Sequence, residues 1–133
     1  MKKLSNLKIL KLDKCGLNEI PKEILELENL IELELWDNGI KSLPYELFNL
    51  ASLEVLNLGY NEIENLSEKI SNLENLESLD LSWNPIYILP KSIYNLRELK
   101  EFRPPSKLEK YSEVVNNEEF NQILRKIKTD NKR

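Results

Sequence analysis

The chain has 133 residues, 41% of them hydrophobic, and a formal net charge of −4, which is enough apolar material for one self-sufficient core without metal or disulfide staples. It contains no histidine and one cysteine, so the commonest general base, the commonest metal ligand and any internal disulfide are all excluded. The mild acidity argues against a general grip on nucleic-acid phosphates. From Lys107 onward seven Lys/Arg face five Asp/Glu, whereas residues 1–106 hold 12 and 18, so an acidic body precedes a weakly basic end.

The opening segment MKKLSNLKILKLDK starts as a secretory signal would, but Lys8, Lys11 and Lys14 break every apolar run and no small-residue cleavage site follows. Nowhere do apolar residues approach the roughly 20 that span a bilayer. The expectation is a soluble cytoplasmic protein that engages no membrane, with export by a signal-independent route as the alternative.

From Leu7 the chain repeats itself. Leu7, Leu30, Leu53, Leu76 and Leu99 follow one another at a constant interval of 23 residues. Inside each unit come Leu10, Leu33, Leu56 and Leu79, and two residues later Leu12, Leu35, Leu58 and Leu81. Leucine alternates with polar residues in LKILKLD, LIELELW, LEVLNLG and LESLDLS, the two-residue period of a strand that buries one face. Next in the unit are Leu17, Ile40, Ile63 and Ile86, and then Pro21, Pro44 and Pro90, with Ser67 in the third unit. Proline lacks the donor a ladder needs, so the chain turns there and returns on the opposite side in a short extended or 3₁₀ segment. A strand out and a turn back make a coil, and stacked coils bury together the leucine face that no single unit can bury alone.

LENLIELELWDNGIKSLPYELFNL resembles a leucine-rich repeat of the L-x-x-L-x-L-x-x-N/C-x-L type. The resemblance covers residues 4 to about 102. Its IPKEI, LPYEL and LPKSI segments are similar to the 23-residue subtype of Ras-suppressor-like scaffolds and small bacterial repeat proteins, Ser67 being the local departure. It implies an α/β repeat solenoid: a right-handed horseshoe or arc with a parallel concave sheet, an irregular or 3₁₀ convex side and a helical cap at the C-terminal end. It also implies that Asn38, Asn61 and Asn84, with Cys15 in the first unit, form a structural ladder inside the turns and bond neighbouring backbone. Cys15 is expected to be buried there rather than to act as a nucleophile.

Residues 1–106 are thus expected to be the solenoid, four full repeats and a partial one. Pro104 and Pro105 break the pattern, and residues 107–133 are expected to hold the cap and a short tail. Leu108, Tyr111 and Val115, then Phe120, Ile123, Leu124 and Ile127, recur at helical spacing. Before the first repeat stands only MKKLSN, so the edge strand near Lys8–Leu12 is expected to be open. Its lysines discourage edge pairing; a monomer is the simpler expectation, and a dimer through this edge the alternative.

With the leucines inward, the remaining strand residues face the concave surface. One column holds Ile9, Glu32, Val55, Ser78 and Glu101, the next Lys11, Glu34, Asn57, Asp80 and Arg103. Past the third leucine come Asp13, Trp36, Gly59 and Ser82, beside Lys14, Asp37, Tyr60 and Trp83. Strands lie about 4.8 Å apart, which brings Trp36, Tyr60 and Trp83 within reach of one another. Such rings either cover the turn beneath them or anchor a partner. With Glu32, Glu34, Asp37 and Asp80 as an acidic border and Asn57 and Arg103 beside them, the set suits a protein or peptide segment carrying apolar and basic groups. Catalysis is not expected, because an open sheet offers these carboxylates no water-excluding cleft. There is no calcium-loop spacing and no glycine-rich phosphate loop, so neither metal nor cofactor is expected.

Overall fold

A computed structural model describes residues 5–106. Five three-residue strands are present, β1 (Ile9–Lys11), β2 (Glu32–Glu34), β3 (Val55–Asn57), β4 (Ser78–Asp80) and β5 (Glu101–Arg103). All are parallel and lie side by side in chain order. The register follows the repeat: Leu10 pairs with Leu33, Leu33 with Leu56, Leu56 with Leu79, and Leu79 with Phe102. Residues 23 apart are therefore neighbours across the sheet, so each sequence column is also a physical row.

The return limbs are 3₁₀ helices at Ile24–Glu26, Tyr45–Asn49, Glu68–Asn72 and Lys91–Asn95. Pro44 and Pro90 precede theirs in extended backbone, at φ −69° and −67°. Ser67 holds the same conformation at φ −68° and caps its helix, its hydroxyl oxygen accepting from the Lys69 N–H at 3.0 Å. A capping side chain there does what proline does elsewhere, which is to start the turn, so the missing proline leaves the third unit's geometry unchanged.

The repeated leucines and isoleucines form one continuous core between the two limbs, with Leu30, Leu33, Leu53, Leu58, Leu76 and Leu81 wholly buried. Phe48 joins them at 1% exposure, a convex-side contributor outside the leucine columns. Leu7, Leu10, Leu12 and Leu17 of the first unit are only partly buried, and Ile9 is 54% exposed. Two of the lysines there are engaged with the second unit: Lys11 pairs with Glu34 at 3.5 Å and Lys14 lies over the Trp36 ring.

The helical cap expected at 107–133 lies outside the described residues. No helix among the described residues is long and apolar enough to cross a membrane.

Candidate functional site

After each strand the chain makes one turn, and its geometry is the same four times. Backbone pairing runs past the strand ends into it: Lys14 N–H donates to Trp36 O, Asp37 N–H to Gly59 O and Tyr60 N–H to Ser82 O, at 2.8 to 3.0 Å. To make that bond and then swing inward, the chain takes a positive φ at Lys14 (56°), Asp37 (56°), Tyr60 (55°) and Trp83 (59°). The left-handed region suits glycine and asparagine and disfavours bulky side chains.

The next residue is the inward one. Asn61 Nδ2 donates to Leu35 O, Leu58 O and Gly59 O at 3.0 to 3.2 Å, and its Oδ1 accepts from Ile40 N–H at 3.1 Å. Asn84 repeats this with Leu58 O, Leu81 O and Ile63 N–H, and Asn38 with Leu12 O, Leu35 O, Cys15 N–H and Leu17 N–H. Each amide joins its own coil to the one before it, satisfying carbonyls that burial would otherwise strand. Cys15 departs from expectation. It is exposed, because no described coil precedes the first and no described residue covers its turn; its N–H still donates to Asn38 Oδ1 at 3.0 Å.

The outward residues form a row. Trp36 and Tyr60 meet edge to face with centroids 5.1 Å apart, and Tyr60 and Trp83 lie tilted at 5.3 Å. At the other end the Lys14 ammonium sits 5.1 Å from the Trp36 centroid. Trp36 and Tyr60 belong to different columns, so Trp36 must cross Gly59 to reach its neighbour. A Cβ on Gly59 would stand 2.9 Å from Trp36 Cδ1 and 3.2 Å from both Asp80 Oδ1 and Ser82 Oγ, closer than such contacts run. Gly59 is therefore a positioning residue that sequence reasoning passed over. The signal was available: one of only three glycines stands in a column between a tryptophan and a serine.

The predicted concave residues come together in a shallow depression of about 350 Å³ lined by Glu32, Glu34, Val55, Asn57, Ser78, Asp80, Glu101 and Arg103. Several of them have local duties. Asn57 Oδ1 accepts from Gly59 N–H at 3.0 Å, and Asp80 Oδ1 from the Ser82 N–H and hydroxyl at 2.9 and 2.6 Å. Glu34 holds Lys11, and Ser78 Oγ donates to Glu101 at 3.2 Å. Asp37 is exposed on the turn, outside the ring contacts.

The opposite rim, at the strand starts, carries the perturbed acids. A hydrogen bond shared with Glu77 holds the Glu54 carboxyl above the usual carboxylate range, partial desolvation and like charge adding to it. The hydrogen bond from Lys100, 2.8 Å long, holds Glu77 below that range, and Lys100 is raised in turn. Lys100 is exposed and the two glutamates are half-buried, so the cluster is a charge network at the surface.

Short parallel strands, 3₁₀ returns and a column of turn asparagines define a coiled repeat solenoid with one open concave face. The chain is a leucine-rich repeat protein: the sequence model of the leucine rich repeat family matches residues 28–86, and solved leucine-rich repeat structures superpose on it. A leucine-rich repeat protein of Leptospira interrogans is 42% identical at a TM-score of 0.73, over 76% of this chain and 26% of its own. The ectodomain of the Arabidopsis thaliana membrane receptor kinase GASSHO1/SCHENGEN3, in complex with CASPARIAN STRIP INTEGRITY FACTOR 2, is 37% identical at a TM-score of 0.61, over 65% of this chain and 11% of its own. The plant peptide hormone receptor RGFR1, in complex with RGF2, is 28% identical at a TM-score of 0.63, over 77% and 18%. The chain thus spans about a quarter or less of the length of these proteins. No curated protein matches it.

Proposed function

We propose that this chain is a non-enzymatic interaction module that holds a protein or peptide segment on its concave face, with Trp36, Tyr60 and Trp83 as anchors beside the acidic depression. The observation that carries this reading is the choice of residue at the left-handed turn position. A left-handed conformation costs an L-residue about 1–2 kcal/mol, and an aromatic pair returns about 0.5–1.5 kcal/mol. Tyr60 has two ring partners, but Trp83 has one and is 59% exposed. Packing alone does not account for a tryptophan where asparagine would serve, so a use outside the fold does. A receptor-kinase ectodomain and a peptide hormone receptor that share this fold were solved in complexes with CASPARIAN STRIP INTEGRITY FACTOR 2 and RGF2, which supports binding as a general use of such a surface.

The test is a Trp36→Ala/Trp83→Ala double variant used beside the wild type to capture partners from the source cell. Loss of a captured protein with unchanged circular dichroism is expected; equal capture by both would remove the aromatic row from the binding surface. A second reading, self-association through β1, is favoured by exposed Ile9 and the half-buried first-unit leucines. Light scattering that gives a concentration-independent mass near 15.7 kDa would dispose of it.

A further inference from the structure

Among the described residues the aromatic row has a cation at one end and none at the other. Lys14 Nζ lies 5.1 Å from the Trp36 centroid, so a ring face in this row already holds an ammonium group. At the far end Trp83 is the most exposed ring of the three at 59%, and among the described residues no cation lies over it. Indole is the strongest of the side-chain π partners for a cation.

The acids adjoin this row. Trp36 Cδ1 and Asp80 Oδ1 both lie within 3.2 Å of one point above Gly59, so the ring row and the acidic depression are continuous. Asp80 Oδ1 is occupied by Ser82, whereas its second oxygen and the Glu32 carboxylate have no partner among the described residues. Of the charged side chains lining the depression, Glu32, Glu34, Asp80 and Glu101 stand against Arg103 alone. Ser82 directly precedes Trp83, so the open ring face and the unpaired Asp80 oxygen belong to one turn, and together they call for a group that is flat, cationic and rich in donors.

Resting on the reading of this face as a peptide-binding surface, we propose that the partner segment presents an arginine, its guanidinium stacked on Trp83 and its N–H donors turned to Asp80 of the same coil. Arginine fits both ring and carboxylate better than lysine. The guanidinium is planar, stacks on an aromatic face while its fork reaches a carboxylate, and leaves water more readily than an ammonium group.

Three blocked tripeptides test this: acetyl-Gly-Arg-Gly-amide and its lysine and citrulline counterparts, titrated at low salt into the full chain while the two indole N–H signals are followed by NMR. The arginine peptide is expected to shift the Trp83 signal more than that of Trp36. The lysine peptide keeps a cation–π contact but lacks the planar fork and is expected to bind more weakly, and the citrulline peptide, which loses the charge, at least about threefold more weakly than arginine, the factor a modest exposed cation–π contact supplies. Asp80→Asn keeps the oxygen that Ser82 needs and removes the charge, so it should weaken arginine binding while leaving the spectrum folded. Trp83→Asn, which lacks the indole reporter and is followed on the backbone amide signals of Asp80 and Ser82, should show no saturable shift with the arginine peptide. Equal shifts from all three peptides, or arginine binding untouched by either variant, would overturn the proposal. Partner capture that depends on Trp36 and Trp83 but is not competed by the arginine peptide overturns the arginine assignment alone and leaves the binding surface standing.

Discussion

At the end of each strand two consecutive residues go opposite ways, and the molecule divides there into a part written by the fold and a part free of it. Asn61 turns inward, is 6% exposed and serves four backbone groups on two coils. Tyr60, one residue earlier, turns outward at φ 55° and sets its ring against those of Trp36 and Trp83 on the neighbouring coils. The inner row tolerates one residue type because its partners are fixed backbone groups in a dry core. The outer row holds Lys, Asp, Tyr and Trp in succession, because the turn constrains its backbone and not its side chain.

The sharpest way to break that contrast is to attack the inner row. Asn61→Ala orphans the Ile40 N–H and takes one of two donors from the Leu35, Leu58 and Gly59 carbonyls, and at about 1–3 kcal/mol for the buried group left unmade and about 0.5–1.5 kcal/mol for a lost hydrogen bond the loss should reach about 2–4 kcal/mol in a denaturant titration. Trp83→Asn attacks the outer row. It relieves a left-handed tryptophan and gives up one ring contact, two effects of similar size and opposite sign. Stability should therefore change by less than about 1 kcal/mol in the same titration, and a loss comparable to that of Asn61→Ala would show the row to be structural after all. Cys15→Asn extends the inner row into the first coil, where no described coil lies ahead to supply carbonyls. A change within about 0.5 kcal/mol is expected; a clear gain would mean that the first turn is as enclosed as the others.

The inner half of this contrast was legible in the sequence. A period of 23 residues specifies the register, and that register placed every leucine column and the asparagines where the structure has them. The outer half was legible only as a neighbourhood. That Trp36, Tyr60 and Trp83 would lie near one another followed from the columns. That Trp36 crosses Gly59, that Asp80 and Asn57 accept from the turn, and that the turn residues are left-handed did not, because these depend on side-chain directions and backbone angles that a column does not record. Cys15 was misjudged for a related reason: a repeat pattern treats every unit alike, whereas burial depends on having neighbours on both sides.

The sheet's spacing also sets a vernier between this protein and anything laid along it. Coils advance by about 4.8 Å, while an extended peptide advances by 3.2–3.4 Å per residue, so the two scales drift apart and only every few residues of a guest coincide with a coil. The ring row measures about 10 Å from end to end, the reach of three extended residues. On the proposed reading one guest side chain would seat on Trp83 while its immediate neighbours fell between coils, a footprint of a single anchored residue with loosely read flanks. Longer motifs would have to be distinguished by the depression beside the rings, coil by coil.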